Sequence, residues 1–289
     1  MDLPIRRLLR PRDPEEAVEL LARYPGALPV AGGTDLVVQL RSGKVSAETL
    51  VDLGGVGLEG IAEGAEGLVI GAATTMDAIA ADGRIRAGWP ALAQAASQVG
   101  AWPIQCRATL GGNLANASPA ADTAPPLLIA NAQLRLLSSR GTRLVPLAEF
   151  FLGPGRSVRT PEEIILSVTL PPRTLPAHAT LYERFTKVGP RREQIISVVS
   201  LAARLVVAGD GSVGEVALAV GAVAPTPRRA RRAEAVLAGR RLTGPVRRDA
   251  IAALQEELAP IDDVRAPAWY RRVAAAVLLD RFLAEVAGG

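Results

Sequence analysis

Read from the amino end, apolar positions first recur at helical spacing after Asp13. Pro14 sits in the first turn, Glu15 and Glu16 lie near its positive end, and Ala17, Val18, Leu20 and Leu21 carry the apolar face to about Tyr24. The next stretch, ALPVAGGTDLVVQLRSG (27–43), predicts a short strand, a glycine turn at Gly32-Gly33, and a helix opened by Thr34 or Asp35. ETLVDL (48–53) and GLVIGAATT (67–75) predict strands, whereas TMDAIAADGRI (75–85) and PALAQAASQVG (90–100) predict helices. Beyond residue 121, Asp122 and Thr123 precede a helix in APPLLIANA, with prolines in its first turn. QLRLLSSRGTRLVPL (133–147) predicts a hairpin and PEEIILSVTLPP (161–172) a buried strand.

PPRTLPAH (171–178) interrupts packing and marks a boundary. After it the pattern changes to long β-branched runs joined by Gly209-Asp210-Gly211-Ser212, a hairpin signal, and then to three helical stretches. This block order favours α+β over a doubly wound parallel sheet.

Between the helices and the first hairpin lies ATLGGNLANASPAADTAPPLL (108–128), with two glycines, small polar groups, one acid and no cation. Only Arg107, just upstream, offers positive charge. Glycine lets the backbone take positive φ and lets a ligand touch the main chain, so a run of such residues aims several N–H groups at one point. Two stretches have this character, AGGTD (31–35) and TLGGN (109–113), with Thr34 and Thr109 adding hydroxyls and Asn113 an amide. Two neutral nests facing one diphosphate need no lysine. Neither stretch fits Gly-x-Gly-x-x-Gly between a strand and a helix, and no Gly-Lys-Ser/Thr is present. Each glycine pair alone reads as a tight turn; the Asn-x-x-Asn-x-Ser-Pro-x-x-Asp run behind the second gives the pair more meaning.

Composition narrows the chemistry. Among 289 residues there is one cysteine, Cys106, and one histidine, His178, which excludes an internal disulfide or an iron–sulfur site built from this chain's own thiolates. Any electron carrier is therefore organic or sits on a partner. The net charge of +4 comprises 31 arginines but only two lysines, Lys44 and Lys187. The densest basic run, PRRARRAEAVLAGRR (227–241), has interleaved acids and no aromatics, so it reads as a solvated helix face and not a nucleic-acid patch. No apolar run approaches the roughly 20 residues of a membrane span, and the first residues lack a signal peptide's apolar core. A cytoplasmic protein is expected.

PVAGGTDL (29–36) and TLGGNLANASPAADTAP (109–125) resemble the two flavin-binding motifs of the molybdenum hydroxylase flavoprotein subunits. EEIILSVTLP (162–171) and RFTKVGPRREQIISVV (184–199) match the same family in order and spacing, so the resemblance covers essentially the whole chain. It implies a PCMH-type FAD-binding fold of two α/β subdomains, residues 1–54 and 55–175, and a C-terminal sheet-and-helix domain, 176–289. It also implies that Pro29, Val30, Ala31, Gly32, Gly33, Thr34, Asp35 and Leu36, with Thr109, Leu110, Gly111, Gly112 and Asn113, hold the FAD diphosphate through main-chain N–H groups. Val99 packs near the cofactor in this reading, and Asp122 accepts a hydrogen bond from a ribose hydroxyl. Taken alone, Asp122 reads as the N-cap of the following helix, a role compatible with the first. Asn116 and Ser118 are further candidates, although both also serve ordinary turns. Ile165 falls beneath the adenine or flavin region, Ile196 on the flavin face, and Lys187 near the reduced ring's N1–C2 carbonyl edge or the cofactor oxygens.

Three positions depart from the family pattern: Cys106 replaces an Asn, Pro103 a Gln, and Ile195 an Asp. Cys106 reads as a small buried residue and not a nucleophile. The implied protein is an oxidoreductase subunit in a hetero-oligomer, with non-covalent FAD, no catalytic acid–base pair and no metal ligand of its own. Its partners are an iron–sulfur small subunit with [2Fe–2S] clusters and a molybdopterin large subunit. The final acceptor is NAD, a quinone or O2. The alternatives are a self-sufficient flavin oxidase or reductase of the vanillyl-alcohol oxidase type and a non-catalytic assembly subunit.

Overall fold

The computed structural model describes residues 5–191 and 194–288; Arg192 and Glu193, inside the RREQIIS run, lie outside the described residues. The chain forms two compact units, each assembled from separated stretches. The first unit comprises 1–79, 101–117 and 131–172, and the second 80–100, 118–130 and 173–289. Each of the three expected domains carries its own main sheet, but packing groups the first two sheets in one unit.

In the first unit, Arg7–Leu9, Thr49–Asp52 and Leu28–Val30 form a parallel sheet with Thr49–Asp52 at its centre. The helix Pro14–Arg23 provides the crossover, and Asp13 caps it by accepting from the Glu16 N–H at 2.7 Å. Its buried face, Ala17, Val18 and Leu21, packs in one core with Val51 of the parallel sheet and with Leu137 and Ile164 of a second sheet. That second sheet is five-stranded and antiparallel, ordered Ile61–Gly64, Gly67–Gly71, Ile164–Leu170, Gln133–Ser138, Gly141–Pro146. Ile164–Leu170 is the central strand, which explains why it is buried almost throughout, Ser167 and Thr169 included.

In the second unit, Thr180–Val188, Val199–Val207, Val213–Gly221 and Arg228–Arg229 form an antiparallel sheet. The hairpin read at 209–212 is present, with Gly211 at φ +83° and Asp210 Oδ1 accepting from the Ser212 N–H at 2.9 Å. Val199–Val207 is buried almost throughout because both of its faces are covered. The C-terminal helix Ala268–Gly288 packs against it, as does Ala124–Ile129, a helix from much earlier in the chain. The expected helix over 75–85 is instead two short ones, Met76–Ala81 and Gly83–Gly88. Asp82 breaks the run by accepting from the N–H groups of Arg84 and Ile85.

The basic run at 227–241 is helical over less of its length than expected. Only Arg231–Leu237 is helical, Arg228–Arg229 is an edge strand, and Glu234 is buried. Glu234 binds Arg229 Nε and the Leu218 N–H, and Arg229 also donates to the Leu128 carbonyl at 3.2 Å. Arg229 and Glu234 thus tie helix to sheet, while Arg228, Arg231, Arg232, Arg240 and Arg241 are exposed, as expected of a solvated face. Among the described residues, no helix is long and apolar enough to cross a membrane.

A second buried charge cluster anchors Ala268–Gly288. Arg271 donates to the carbonyls of Val198 and Ala222 and to Asp263 Oδ1, which also accepts from the N–H groups of Arg265 and Ala266. Burial would raise the Asp263 carboxyl, but hydrogen bonds from the Arg265 side chain and from those two backbone groups outweigh it and hold it at about 2. With the folded value below the unfolded one, this stabilisation is full above the unfolded value of about 4 and disappears as pH falls toward 2. Asp263→Asn is therefore expected to lower stability at neutral pH and to flatten the acid limb of a denaturation-midpoint curve below pH 4. An unchanged acid limb counts against the assignment.

Lys187 and Asp122 form a third cluster, with side chains only 4% and 7% exposed and Nζ to Oδ2 at 2.7 Å. Removing one partner strands the other charge, so Lys187→Met is expected to cost about 3–5 kcal/mol in chemical denaturation. Adding Asp122→Asn to that variant should recover part of the loss.

Candidate cofactor site

Strand Leu28–Val30 ends just before the first glycine stretch, and the helix Leu36–Arg41 begins just after it. Gly33 has φ +73°, a conformation that side chains with a Cβ rarely adopt. Gly32 is needed for a different reason: a Cβ there would lie 1.8 Å from the Arg107 carbonyl oxygen. The turn is thus pressed directly onto the backbone that leads into the second glycine stretch. Among the described residues, no hydrogen bond engages the N–H groups of Gly32, Gly33 or Thr34, and all three residues are half-buried. Such a row of unused donors is a neutral anion cradle.

The second glycine stretch behaves otherwise, which corrects the expectation that it offers main-chain donors. Residues 110–115 are a helix capped by Thr109, whose Oγ1 accepts from the Gly112 N–H at 3.1 Å. Leu110 donates to the Thr74 carbonyl, Gly111 to the Ala72 carbonyl at 2.8 Å, and Asn113 to the Thr109 carbonyl. All four amides are spent inside the protein. Gly111 is required because a Cβ would meet Ala72 Cβ at 2.7 Å. What this stretch contributes is a smooth surface.

That surface forms one side of a mainly apolar cleft open to solvent. Of the sequence-derived candidates, Pro29, Ala31, Thr109, Gly111, Gly112 and Ile165 line it together. Val30, Gly32, Gly33, Thr34, Asp35, Leu36, Leu110 and Asn113 flank it without lining it. Sequence reasoning missed Leu53, Leu58, Ala72, Ala73, Arg159 and Glu163 in the same wall. The apolar ones carry no local signal beyond core strand or turn residues. Asn116 links the two stretches: its Nδ2 donates to Asp35 Oδ2 at 3.3 Å, and its Oδ1 accepts from Gln39 Nε2 at 2.9 Å.

The remaining candidates lie in the second unit. Asp122 Oδ2 and the Gln98 carbonyl accept from Lys187 Nζ, and Asp122 Oδ1 accepts from Ser197 Oγ at 2.6 Å. Burial pushes the Asp122 carboxyl up, against the opposing pull of Lys187 and Ser197. Val99 and Ile196 adjoin this network in sequence, next to Gln98 and Ser197, and Ile196 is 60% exposed. Ser118 Oγ accepts from the Ala120 N–H, a local turn. Asp122 does not cap the following helix: the capping position is Thr123, with no side-chain bond to the helix, because the Asp122 carboxylate is turned to Lys187 and Ser197. His178 is exposed, and burial with the nearby Asp77 carboxylate pushes the Cys106 thiol up, so neither is an activated nucleophile.

Unused amides beside an apolar cleft suit a ligand with a diphosphate and a flat ring, and the first unit supplies both surfaces. The comparisons with known proteins agree. Residues 4–173 match the FAD binding domain in molybdopterin dehydrogenase, and residues 184–286 the CO dehydrogenase flavoprotein C-terminal domain. The chain is 35% identical to the xanthine dehydrogenase FAD-binding subunit of Escherichia coli O157:H7, over 76% of this chain and 74% of that one. It is 31% identical to the carbon monoxide dehydrogenase medium chain of Afipia carboxidovorans, over 94% and 93% of the two chains. Among solved structures, carbon monoxide dehydrogenase from Hydrogenophaga pseudoflava superposes with TM-score 0.91 at 27% identity, covering 97% of this chain and 96% of that one. Quinoline 2-oxidoreductase from Pseudomonas putida 86 gives TM-score 0.91 at 27% identity, covering 100% and 99%. The chain therefore belongs to the family of FAD-binding flavoprotein subunits of the molybdenum hydroxylases, with the xanthine and carbon monoxide dehydrogenases.

Proposed function

We propose that this chain is the electron-transfer subunit of a molybdopterin-dependent hydroxylase or dehydrogenase. In this reading it holds FAD non-covalently, takes electrons from a [2Fe–2S] partner subunit, and passes them to an external acceptor such as NAD, a quinone or O2. A molybdopterin large subunit completes the complex and carries out the substrate chemistry, and the complex works in the cytoplasm. The observation that carries the proposal is the pairing of unengaged Gly32, Gly33 and Thr34 amides with the apolar cleft beside them.

FAD, when bound, supplies a carrier able to exchange electrons singly or in pairs. The chain's part is to bind and orient. The amides of 32–34 would hold the diphosphate, Pro29, Ala31 and Ile165 would pack on a ring, and the Gly111-Gly112 surface would let the ligand approach the backbone closely. In the second unit, Val99, Ser118, Asp122, Lys187 and Ile196 are proposed as cofactor residues on the strength of the family resemblance. Of these, Lys187 is held in place by Asp122 and by the Gln98 carbonyl.

Expressed alone, the chain is expected to take up one FAD, giving a yellow protein with quenched flavin fluorescence and no substrate hydroxylation. Turnover by the isolated chain would favour a self-sufficient flavoenzyme, and failure to bind FAD would remove the proposal. Isolated from its native host, the chain should bring with it an iron–sulfur chain and a molybdopterin chain. Gly33→Val forces a β-branched side chain into positive φ, so FAD affinity should fall at least about tenfold while the second unit's packing persists. Fluorescence titration of the variant measures that loss.

A further inference from the structure

The phosphate cradle read from the sequence lacks a cation, and Arg107 does not supply one: its side chain is exposed and makes no hydrogen bond among the described residues. A different arginine reaches the cleft. Arg159 lines it, and its Nη1 donates to the carbonyls of Thr160 at 2.9 Å and Glu163 at 2.7 Å. These two bonds fix the plane of the guanidinium. Its Nε is buried with no partner, and Nη2 donates to nothing among the described residues.

Nε and Nη2 form the side-on edge of a guanidinium, the edge that grips paired oxygens with two parallel N–H bonds. Neighbouring Arg143 shows the same edge filled. Its Nε and Nη2 donate to Glu163 Oε1 at 2.7 Å and Oε2 at 2.9 Å, and the Thr160 N–H also donates to Oε2. The Glu163 carboxylate is thus committed to Arg143, and the edge of Arg159 is left open. Arg159 is half-buried, and its buried Nε without a partner is costly unless a ligand completes it. Adenine offers ring nitrogens beside an amino donor, whereas a diphosphate offers paired anionic oxygens that match the fork.

We propose that Arg159 is the cationic anchor of the cofactor's diphosphate, donating from Nε and Nη2 to phosphate oxygens within the cleft. This rests on the FAD reading above. It also answers why the glycine stretches carry no basic residue: the charge comes from a loop 50 residues downstream of Thr109.

The test compares FAD, ADP, adenosine and riboflavin on the wild-type chain, Arg159→Met and Arg159→Lys, by fluorescence titration and calorimetry. Arg159→Met should weaken FAD and ADP by roughly 10- to 100-fold and leave adenosine and riboflavin unchanged. Arg159→Lys, which keeps the charge and loses the fork, should fall between. Unchanged ADP affinity in Arg159→Met, or a parallel loss for adenosine or riboflavin, overturns the proposal. A wild-type chain that binds neither FAD nor ADP overturns the FAD reading itself. Because Arg159→Met also strips a partner from two carbonyls, phenylglyoxal labelling of the unmutated chain provides an arm independent of folding. ADP should protect the peptide containing Arg159, and equal labelling with and without ADP refutes the assignment.

Discussion

The contact between Gly32 and the Arg107 carbonyl governs the first unit's cleft. A methyl group at residue 32 would lie 1.8 Å from that oxygen, so the turn and the second glycine stretch can touch only through bare backbone. Two features of the cleft accompany this approach. It places Pro29 and Ala31 in one wall with Thr109, Gly111 and Gly112. It also brings Asn116 within reach of Asp35 and Gln39, whose side chains lock the two stretches together.

The two glycine pairs look alike in sequence and do opposite work. Around Gly111, each amide from Leu110 to Asn113 is consumed, by Thr74, by Ala72 or by the Thr109 cap. These residues are anchored, and their glycines exist so that a helix can lie against the strand-end residue Ala72. Around Gly32 and Gly33 the amides are unused, because they lead into a helix that engages only the Gly33 carbonyl, through the Val37 N–H, and offers its leading amides no acceptor. Buried or half-buried backbone donors rarely go without partners. The imbalance between the two stretches supports the proposal that the first one faces the ligand.

Local features were legible from sequence wherever their cause was local. The Asp13 cap, the glycine-led hairpin at 209–212 and the buried strand at 164–170 each depend on a few adjacent residues. The glycine stretches and Ile165 were found as a group, and the structure gathers six of their residues in one cleft. What escaped notice depended on distant partners. The amides of 110 and 111 are spent on carbonyls some 36 to 39 residues upstream, which no spacing rule reveals. Asp122 resembles a helix cap in sequence, yet its carboxylate is drawn away by Lys187, 65 residues later. Arg159 is one of 31 arginines, and what distinguishes it is an unpartnered Nε on a side chain that lines the cleft.

That distinction generalises to how the chain handles buried positive charge. Lys187 is enclosed with a carboxylate and a carbonyl, so its charge is balanced before any ligand arrives. Arg271 is likewise surrounded by three carbonyls and Asp263. Desolvating a cation is tolerable when partners of this kind replace water. Arg159 differs from these two: two carbonyls satisfy one nitrogen, burial lowers its pKa, and the nearby Glu163 carboxylate is hydrogen-bonded by Arg143. Arg173, Arg204 and Arg247 also leave one buried nitrogen without a partner, but each is ion-paired with a carboxylate, and of the four only Arg159 lines the cleft. Its open edge is most simply understood as reserved for an anion that the folded chain does not itself provide.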